Sequence, residues 1–210
     1  MLAKGSLSWI GAALLFTAAA GYFSMGSSGT IKAALTCLSI TGLLLALFFI
    51  IFFRDPERTP AGDEDDAVSP ADGRVISIKD PKLCIFMNIH NVHVNRAPLG
   101  GTVMEIDYRP GGYIPAFNKD SDVNERNHVI INTEYGNLEL MQIAGVLTRR
   151  IVSFISEGSQ VKRGERIGMI RFGSRVDMII PEVYYYTVDV GDKVKAGETI
   201  IATRKDKTGR

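Results

Sequence analysis

The chain has 210 residues, which is enough for one domain of ordinary size and an additional segment, and 46% of them are hydrophobic. This composition excludes a chain that is disordered over most of its length. Twenty-four Lys and Arg against 23 Asp and Glu give a formal net charge of +1. No overall basic field therefore attracts the chain to nucleic acid, and no nucleic-acid partner is expected.

The charges are unevenly distributed along the chain. Residues 1–53 contain only Lys4 and Lys32 and no acidic residue, which leaves 22 basic and all 23 acidic residues for residues 54–210. This division predicts a membrane segment joined to a soluble domain of about 150 residues, long enough to bury a core. Cys37 lies in the apolar segment and Cys84 is alone in the soluble part, so no disulfide framework is available.

Two stretches of the first segment, residues 7–25 and 33–53, predict a transmembrane helical hairpin. The second contains 21 uncharged residues, which cover roughly 30 Å as a helix and span a bilayer core. The first is less hydrophobic, because it is rich in Ala, Gly and Ser. For this stretch, the alternative is a cleaved signal peptide with Lys4 as its basic end. The turn-forming residues 26–29 favour the hairpin. Basic residues outside the hairpin favour a cytosolic position for the soluble domain.

Residues 54–68 are interpreted as a linker, because the acidic run Asp63 to Asp66 is more typical of a solvated segment than of a metal site. Residues 69–210 are expected to form a mainly β domain. Short runs with β-branched and alternating residues are punctuated by Gly, Pro and Asn, and no long helical stripe intervenes. The predicted strands are Arg74 to Ile78, Lys82 to Ile89, Thr102 to Tyr108, His128 to Thr133, Leu138 to Ile143, Arg166 to Arg171 and Val176 to Ile180.

An internal repeat refines the fold prediction. Residues 158–167 align with residues 191–200, and six of the ten positions are identical. Glycines at both ends of each six-residue turn suit positive φ values at hairpin corners, and the valine between them suits an inward-facing position. The pattern resembles the half-motif of biotinyl and lipoyl carrier domains, so a barrel-like sandwich of the hammerhead type is expected. The Met-Lys-Met tip of a carrier is not found between the two halves.

Several short motifs carry groups that can do chemistry, and each is ambiguous by itself. His90 and His93 face opposite sides if the preceding strand continues, whereas a turn after Asn88 can bring them to one site. As a pair they fit a metal fragment or two ordinary surface histidines, and His128 fits a structural or site-wall residue. Asp72 lies in a turn sequence that enters a strand, and Ser174 follows Gly173 at a flexible bend.

Together and in this order, these motifs resemble the short, membrane-anchored form of the phosphatidylserine decarboxylase family. The resemblance covers most of residues 54–210 and rests on Ser69-Pro70-Ala71-Asp72-Gly73, His90-x-x-His93, Asn124-Glu125-Arg126, Gly164-Glu165-Arg166-Ile167-Gly168 and Phe172-Gly173-Ser174. Two departures concern subgroup and head-group contacts. Arg175 stands where many members have Thr, and Val94-Asn95-Arg96 follows the histidine pair where many have Met and Pro.

The resemblance implies a self-processing zymogen. Ser174 cuts the Gly173–Ser174 bond, giving a large chain of residues 1–173 and a small chain of residues 174–210 whose first residue becomes a pyruvoyl group. By the same resemblance, Asp72 orients and charge-stabilises His93, which takes the proton of Ser174. His90 is assigned to the decarboxylation. The pyruvoyl carbonyl condenses with the substrate amine and accepts the electrons released with carbon dioxide.

The leading interpretation is a decarboxylase that converts phosphatidylserine to phosphatidylethanolamine at the cytoplasmic side of the cell inner membrane. Glu125 and Arg126 are candidate substrate-binding residues, the pyruvoyl group is the only cofactor expected, and no metal site is supported. The family suggests a homo-oligomer, in the form of a dimer. The alternative is a non-enzymatic, membrane-anchored adaptor or carrier with a hammerhead-like β domain. The combination of Asp72, His93, Gly173 and Ser174 favours the enzyme.

Overall fold

A computed structural model describes residues 1–111, 124–145, 151–171 and 174–208. The chain divides into two compact units, Met1–Pro56 and Glu57–Arg210. Each unit is described by itself below.

The first unit is a pair of packed helices, α1 (Leu7–Met25) and α2 (Gly29–Phe52). Small and hydroxyl-bearing residues line their contact, where Ser24 Oγ and Thr36 Oγ1 are 2.7 Å apart and Ser39 Oγ donates to the Thr17 carbonyl at 3.0 Å. By length and composition, both helices could cross a membrane. Helix α2 begins four residues before the predicted stretch, because the turn 26–28 is short and Lys32 is included in the first helical turns.

The second unit is mainly β, as predicted. Its strands are β1 (Ala67–Val68), β2 (Gly73–Lys79), β3 (Lys82–Met87), β4 (Val94–Arg96), β5 (Gly101–Arg109), β6 (Arg126–Thr133), β7 (Gly136–Ala144), β8 (Ile151–Ser153), β9 (Gln160–Val161), β10 (Arg166–Ile170), β11 (Ser174–Ile179), β12 (Tyr184–Tyr186), β13 (Lys193–Val194) and β14 (Ile200–Arg204). A short 3-10 helix, Lys205–Thr208, follows. All seven predicted strands are confirmed, with boundaries shifted by one or two residues. The seven additional strands have two to five residues, too few for a periodic sequence signal.

These strands form an eight-stranded sheet in the order β13-β2-β3-β11-β7-β6-β5-β9 and two three-stranded sheets, β1-β14-β12 and β4-β10-β8. Every neighbouring pair is antiparallel. Alternate residues of the large sheet point into an apolar core, whose largest fully buried members include Leu83, Ile85, Ile131, Leu138 and Leu140. The architecture is compatible with the predicted hammerhead resemblance without confirming it.

The strand order reveals an approximate two-fold relation within the second unit. Reading the large sheet from either edge pairs β13 with β9, β2 with β5, β3 with β6 and β11 with β7, and the two small sheets correspond in the same way. One half, here called the continuous half, comprises residues 94–170. The other, here called the split half, comprises residues 67–87 and 174–204. The continuous half is therefore inserted into the split half between β3 and β11.

Equivalent hydrogen bonds support this relation. Gly158 N donates to Val103 O at 2.8 Å, and Gly191 N donates to Val75 O at the same distance. The register irregularities of the two halves also correspond, one after Val75 and the other after Val103. The segments that contain these bonds, residues 69–75 and 97–103, thus play equivalent parts, although they share only three of seven residues.

The two copies of the sequence repeat form equivalent turns of the two halves. Gly164 and Gly197 have φ values of 77° and 71°, a left-handed conformation that glycine adopts without steric cost. Val161 and Val194 are 4% and 3% exposed and pack into the core. Both predicted features of the repeat, the positive φ values and the inward valines, are confirmed.

Candidate functional site

Ser174 begins β11, a central strand of the large sheet. It is paired with Met87 of β3 on one side and with Ala144 of β7 on the other. Its side chain is fully buried, and its hydroxyl lies against the sulfur of Met87, with Oγ and Sδ 3.5 Å apart. The first residue of β11 is therefore fixed by strand pairing on both sides.

Two connections join the halves of the fold, and one of them ends at Ser174. Residues 88–93 lead from Met87 to Val94, and residues 171–173 lead from Ile170 to Ser174. Both connections join the same two strand pairs, Met87 with Ser174 and Val94 with Met169. In the continuous half, β6 and β7 form a tight hairpin, with Thr133 paired to Gly136. In the split half, the equivalent strands β3 and β11 are not joined by a tight turn, because the continuous half is inserted between them. Ser174 is the first residue of β11 at this point.

A turn brings His93 into this region. Strand β3 ends at Met87, and Asn91 N donates to Asn88 O at 2.9 Å, while Asn88 N donates to the Asn91 side chain at 2.7 Å. The predicted turn after Asn88 is therefore present. His93 is fully buried, and its Nδ1 donates to Asn91 O at 2.9 Å. A neutral ring held in this way carries its lone pair on Nε2, the form suited to a general base.

Asp72 contacts the backbone beside His93. Its carboxylate accepts two hydrogen bonds from Arg58, at 2.5 and 3.0 Å, and one each from the amides of Val92, at 3.3 Å, and Ala196, at 2.8 Å. The sequence predicted that Asp72 orients the imidazole of His93. In the structure, the group on His93 Nδ1 is the Asn91 carbonyl, and Asp72 holds the turn through Val92. Asp72 is thus joined to the turn that carries His93 by a backbone hydrogen bond.

A row of buried carboxamides reaches the same sulfur atom as Ser174. Asn127 Nδ2 donates to Gln142 Oε1 at 3.0 Å, and Gln142 Nε2 donates to Asn95 Oδ1 at 2.8 Å. Asn95 Nδ2 lies 3.7 Å from Met87 Sδ. All three carboxamides are at most 2% exposed.

His90 occupies a different position from His93. It is exposed and lies on the rim of a cavity of about 480 Å³ that is also lined by Asp72. The cavity wall carries the cationic side chains of Arg74, Lys193 and Lys195. Asp72 is neutralised by Arg58, so the cavity has a positive balance of charge.

The predicted substrate-binding pair, Glu125 and Arg126, is divided between two faces. Glu125 is 4% exposed, and its Oε1 accepts from Tyr108 Oη at 3.0 Å and from Ile151 N at 3.2 Å, so it braces the end of β7 near Ser174. Arg126 lines a separate cavity of about 170 Å³ on the outer face of the sheet, together with His128. His128 Nε2 lies 3.1 Å from a Glu139 carboxylate oxygen, which fits the predicted structural role.

The outer face next to Ser174 carries an ion cluster. Arg175 Nε and Lys82 Nζ lie 2.8 and 2.7 Å from the carboxylate oxygens of the buried Asp177. Burial, followed by the negative charge of Asp177, raises the pKa of the Cys84 thiol to about 12. At neutral pH this thiol is protonated and is a poor nucleophile.

Within the described ranges, no group of three or more His, Cys, Asp and Glu side chains is placed to hold a metal ion. Phe172 and Gly173 lie outside the described residues. So do Arg149 and Arg150, an adjacent pair that can bind phosphate but is more typical of a solvated surface.

Comparison with known proteins gives a consistent result over nearly the whole chain. A family model described as phosphatidylserine decarboxylase matches residues 45–202. The chain is 49% identical over 206 residues to the putative archaetidylserine decarboxylase proenzyme of Methanosarcina mazei, covering 98% of both chains, and 50% identical, with the same coverage, to that of Methanosarcina acetivorans. It is 46% identical over 205 residues to the phosphatidylserine decarboxylase proenzyme of Streptomyces coelicolor, covering 95% of this chain and 91% of the relative. The chain belongs to the phosphatidylserine decarboxylase family.

Membership in this family makes the protein an enzyme and not the adaptor considered above. The match to residues 45–202 includes Asp72, His90, His93 and Ser174, all four predicted catalytic residues. The relatives are named proenzymes, in agreement with the expected zymogen.

Sequence reasoning missed several side chains of the candidate site. Arg58 was read only as a basic residue flanking the membrane segment, and Asn95 only as a departure from the family pattern. Met87, Asn127 and Gln142 lie in or next to predicted strands, but nothing in the alternation of residues distinguishes a buried amide from a surface one. Their positions depend on the pairing of β3 with β11, of β11 with β7 and of β7 with β6, which only the fold reveals.

Proposed function

We propose that the chain cleaves itself before Ser174, converts Ser174 to a pyruvoyl group and decarboxylates a serine phospholipid, with phosphatidylserine as the substrate and phosphatidylethanolamine as the product. The observation that carries the proposal is the burial of Ser174 at the junction of the two halves, beside the connection that holds His93. A cut at this junction leaves β11 paired on both sides, so the new chain end stays in place.

The self-cleavage begins with Ser174 as nucleophile. His93 Nε2 takes the hydroxyl proton, and Oγ forms a bond to the carbonyl carbon of Gly173. The bond between this carbon and the Ser174 nitrogen then breaks, and the nitrogen recovers a proton from the imidazolium, which leaves an ester. Loss of the Ser174 α-proton expels residue 173 as a carboxylate that retains Oγ. The remaining dehydroalanine takes up water and releases ammonia, which gives the pyruvoyl group.

Asp72 and Arg58 support this step through the backbone. Asp72 ties Val92, next to His93, to Ala196 of the future small chain, and Arg58 donates to the Ala196 carbonyl at 2.8 Å. The imidazole is thus held by a turn that is itself fixed on both sides. Such a supported geometry maintains a nucleophile and base pair within reach of each other.

The surroundings of Ser174 fit a pyruvoyl group. The site is buried, so the reactive carbonyl is protected from solvent, and the protonated Cys84 is a weak competing nucleophile. When formed, the pyruvoyl group supplies an electron sink for the carbon–carboxylate bond that breaks. His90 then serves as the acid–base group that returns a proton to the substrate, because it lies on an open cavity that a substrate can enter.

The positive balance of this cavity fits the phosphate of a serine phospholipid. The two-fold relation provides a comparison, since the equivalent cavity of about 570 Å³ is lined by Glu64, Asp65 and Glu134 in addition to Lys162 and Arg163. Lys162 occupies the turn position that corresponds to Lys195. The cavity that carries His90 is thus the one suited to an anionic head group.

The names of the relatives suggest two substrates, archaetidylserine and phosphatidylserine, which share the serine head group on which the reaction takes place. The higher identities belong to relatives named for archaetidylserine, so this lipid is the second candidate. The two apolar helices are compatible with association of the chain with a membrane. The inner membrane, the cytoplasmic side and the homo-oligomer remain predictions.

A decarboxylation assay tests this function. Vesicles that contain phosphatidylserine or archaetidylserine are incubated with the protein, and released carbon dioxide and the amine lipid are measured. We expect both products from at least one lipid. Lys195→Ala should raise KM with little effect on kcat or on self-cleavage. The reason is that it weakens a phosphate contact that is equally strong in the ground state and in the transition state. The matched variant Lys162→Ala should leave KM unchanged. Absence of decarboxylation with both lipids would contradict the proposed function.

A further inference from the structure

The three buried carboxamides form a chain with a single direction. Asn127 donates to Gln142, Gln142 donates to Asn95, and Asn95 directs its Nδ2 group to the sulfur of Met87. A thioether has no proton to donate, so the group that faces it must be a donor. The end at Met87 therefore fixes the orientation of every amide in the chain.

This direction points an N–H donor at the sulfur atom that Ser174 Oγ also contacts. Asn95 Nδ2 and Ser174 Oγ lie 3.7 and 3.5 Å from the same Met87 sulfur. Both contacts are long, and sulfur is a weak acceptor, so neither group is strongly engaged there. The donor is held from behind, through the 2.8 Å bond between Asn95 Oδ1 and Gln142, and its N–H groups can turn to a stronger acceptor at little cost.

The other half of the fold lacks such a chain at the equivalent place. The residues that correspond to Asn95, Gln142 and Asn127 are Ala67, Ile180 and Pro81, and the residue that corresponds to Ser174 is Gly136. None of these side chains is a hydrogen-bond donor or acceptor. Packing of the shared architecture therefore does not require the amides. Burying three carboxamides costs free energy unless they are hydrogen-bonded, so their presence only beside Ser174 points to a role there.

We propose that Gln142 and Asn127 are positioning residues that hold Asn95 as an oxyanion donor for the self-cleavage. When Ser174 Oγ attacks, negative charge develops on the Gly173 carbonyl oxygen, whose carbon is bonded to the Ser174 nitrogen. A preorganised N–H donor in a water-free site stabilises such a charge strongly. This inference rests on the proposed self-cleavage and adds to it the group that receives the oxyanion.

The most informative variant, Gln142→Glu, reverses the direction of the hydrogen bond between position 142 and Asn95 without changing the size of the side chain. Glutamate has the size of glutamine, but an ionised carboxylate at position 142 has no proton for Asn95 Oδ1 and instead accepts from Nδ2. The Asn95 amide of this variant therefore turns its donor away from Ser174. We expect cleavage to slow by about the 10²-fold typical of a lost oxyanion donor. Asn95→Leu should slow it similarly, and Asn127→Leu, at the far end, by less.

The pH dependence separates positioning from a merely structural effect. When the carboxyl group introduced by Gln142→Glu is protonated, it accepts from Asn127 with one oxygen and donates to Asn95 with the other, which restores the direction of the chain. The ratio of the cleavage rate in Gln142→Glu to that of the unmodified chain should therefore rise as the pH falls from about 8 to about 5.5, towards the ordinary range of a carboxyl pKa. Taking the ratio removes the pH dependence that both proteins share.

The full-length chain is made by cell-free synthesis and pulse-labelled. During a chase at each pH, the rate at which the uncut chain is converted to two chains is measured. Asn132→Leu is the matched control, since Asn132 Nδ2 donates to Asn137 Oδ1 at 3.0 Å across the same two strands, away from Ser174. It should cleave normally. Circular dichroism checks the fold of every variant, and if Asn95→Leu does not fold, the pH ratio of Gln142→Glu decides.

Cleavage of folded Gln142→Glu at the unmodified rate, or a rate ratio that is low and independent of pH, would overturn the inference. An equal loss in Asn132→Leu would also overturn it, because the effect would then follow from any lost amide pair. If the unmodified chain itself stays uncut, the proposed function fails, and this outcome is distinct from the others.

Discussion

The carboxylate of Asp72 accepts four hydrogen bonds while it is shielded from solvent. Its side chain is 10% exposed and that of Arg58 is 5% exposed, so the pair is a buried salt bridge. Removing one partner of such a pair leaves a buried charge without compensation, which costs more than the pair contributes. Asp72 and Arg58 therefore have to be considered as one unit that ties the His93 turn to the small chain.

We predict that Arg58→Met lowers the free energy of unfolding by about 3 kcal/mol or more, because it strands the Asp72 charge. Asp72→Asn should lower the free energy of unfolding by less, since the neutral amide has the same shape as the carboxylate. Both should slow self-cleavage. Urea denaturation in a Ser174→Ala background measures the stability of the uncut chain, and Arg74→Met, which removes an exposed arginine, is the control. Equal stability of Arg58→Met and the control would rule out the pair as a structural unit.

Variants of the two histidines should be defective at different stages, one in decarboxylation and the other in self-cleavage. His90→Ala should still yield the small chain with a blocked N-terminus, because cleavage uses His93. Turnover of phosphatidylserine should fall by about the hundredfold or more that is typical of a lost acid–base group. His93→Ala should remain uncut. Mass spectrometry and the lipid assay distinguish the stages, and an uncut His90→Ala protein beside a normally processed His93→Ala protein would show that the two roles are exchanged.

At the scale of elements, sequence reasoning succeeded where periodicity is long enough. The seven strands of five to eight residues that were predicted alternate clearly, and the repeat located two hairpin corners. Strands of two or three residues, such as β9 and β13, carry no periodic signal and were missed. The acidic run at residues 63–66 was expected to be a solvated linker, but the structure places it against the C-terminal segment. Opposite charges far apart in sequence attract this segment, and composition alone does not show such a contact.

This acidic run holds the end of the future small chain. Lys207 Nζ lies 2.5 Å from Asp65 Oδ1 and 2.9 Å from Asp63 Oδ2, and Arg204 Nη1 lies 3.2 Å from Asp65 Oδ2. The hydrogen bond from Lys207 lowers the pKa of Asp65 below its ordinary value. A lowered folded-state pKa gives stability that is present above the unfolded pKa, about 4, and is lost as the pH falls through the folded value.

Acidification from about pH 5 to about pH 3 should therefore lower the thermal midpoint of the protein, and Lys207→Ala should weaken this dependence. Lys193→Ala removes the same charge from β13, away from this contact, and serves as the control. Differential scanning calorimetry at several pH values measures the effect. The same acid dependence in Lys207→Ala and in the unmodified protein would show that this contact does not contribute.

At the scale of the whole molecule, the reacting serine lies where one half of the fold is inserted into the other. The sequence repeat revealed only part of this relation, because residues 69–75 and 97–103 share three of seven positions and escape notice without the structure. The chemistry is concentrated in the split half and at the junction, where Ser174 replaces the equivalent of Gly136. Motif resemblance predicted Asp72, His90, His93 and Ser174 as the catalytic residues. It could not predict the amide chain, which depends on strands brought together by the fold.

The architecture also predicts that a cut before Ser174 would not separate the two resulting chains. The small chain contributes β11 to the middle of the large sheet, β13 to its edge, and β12 and β14 to a small sheet with β1. Strands β11, β13 and β14 pair with strands of the large chain, so the cleaved protein remains one folded unit.

The intact mass of the purified protein tests the central claim most directly. The account predicts two chains in place of one of 23.0 kDa, the smaller being residues 174–210 with a terminus lighter by one ammonia than a serine would give. Ser174→Ala should give only the single chain, because no hydroxyl remains to attack the preceding carbonyl. A single 23.0 kDa species from the unmodified protein, or two chains from folded Ser174→Ala, would contradict the account.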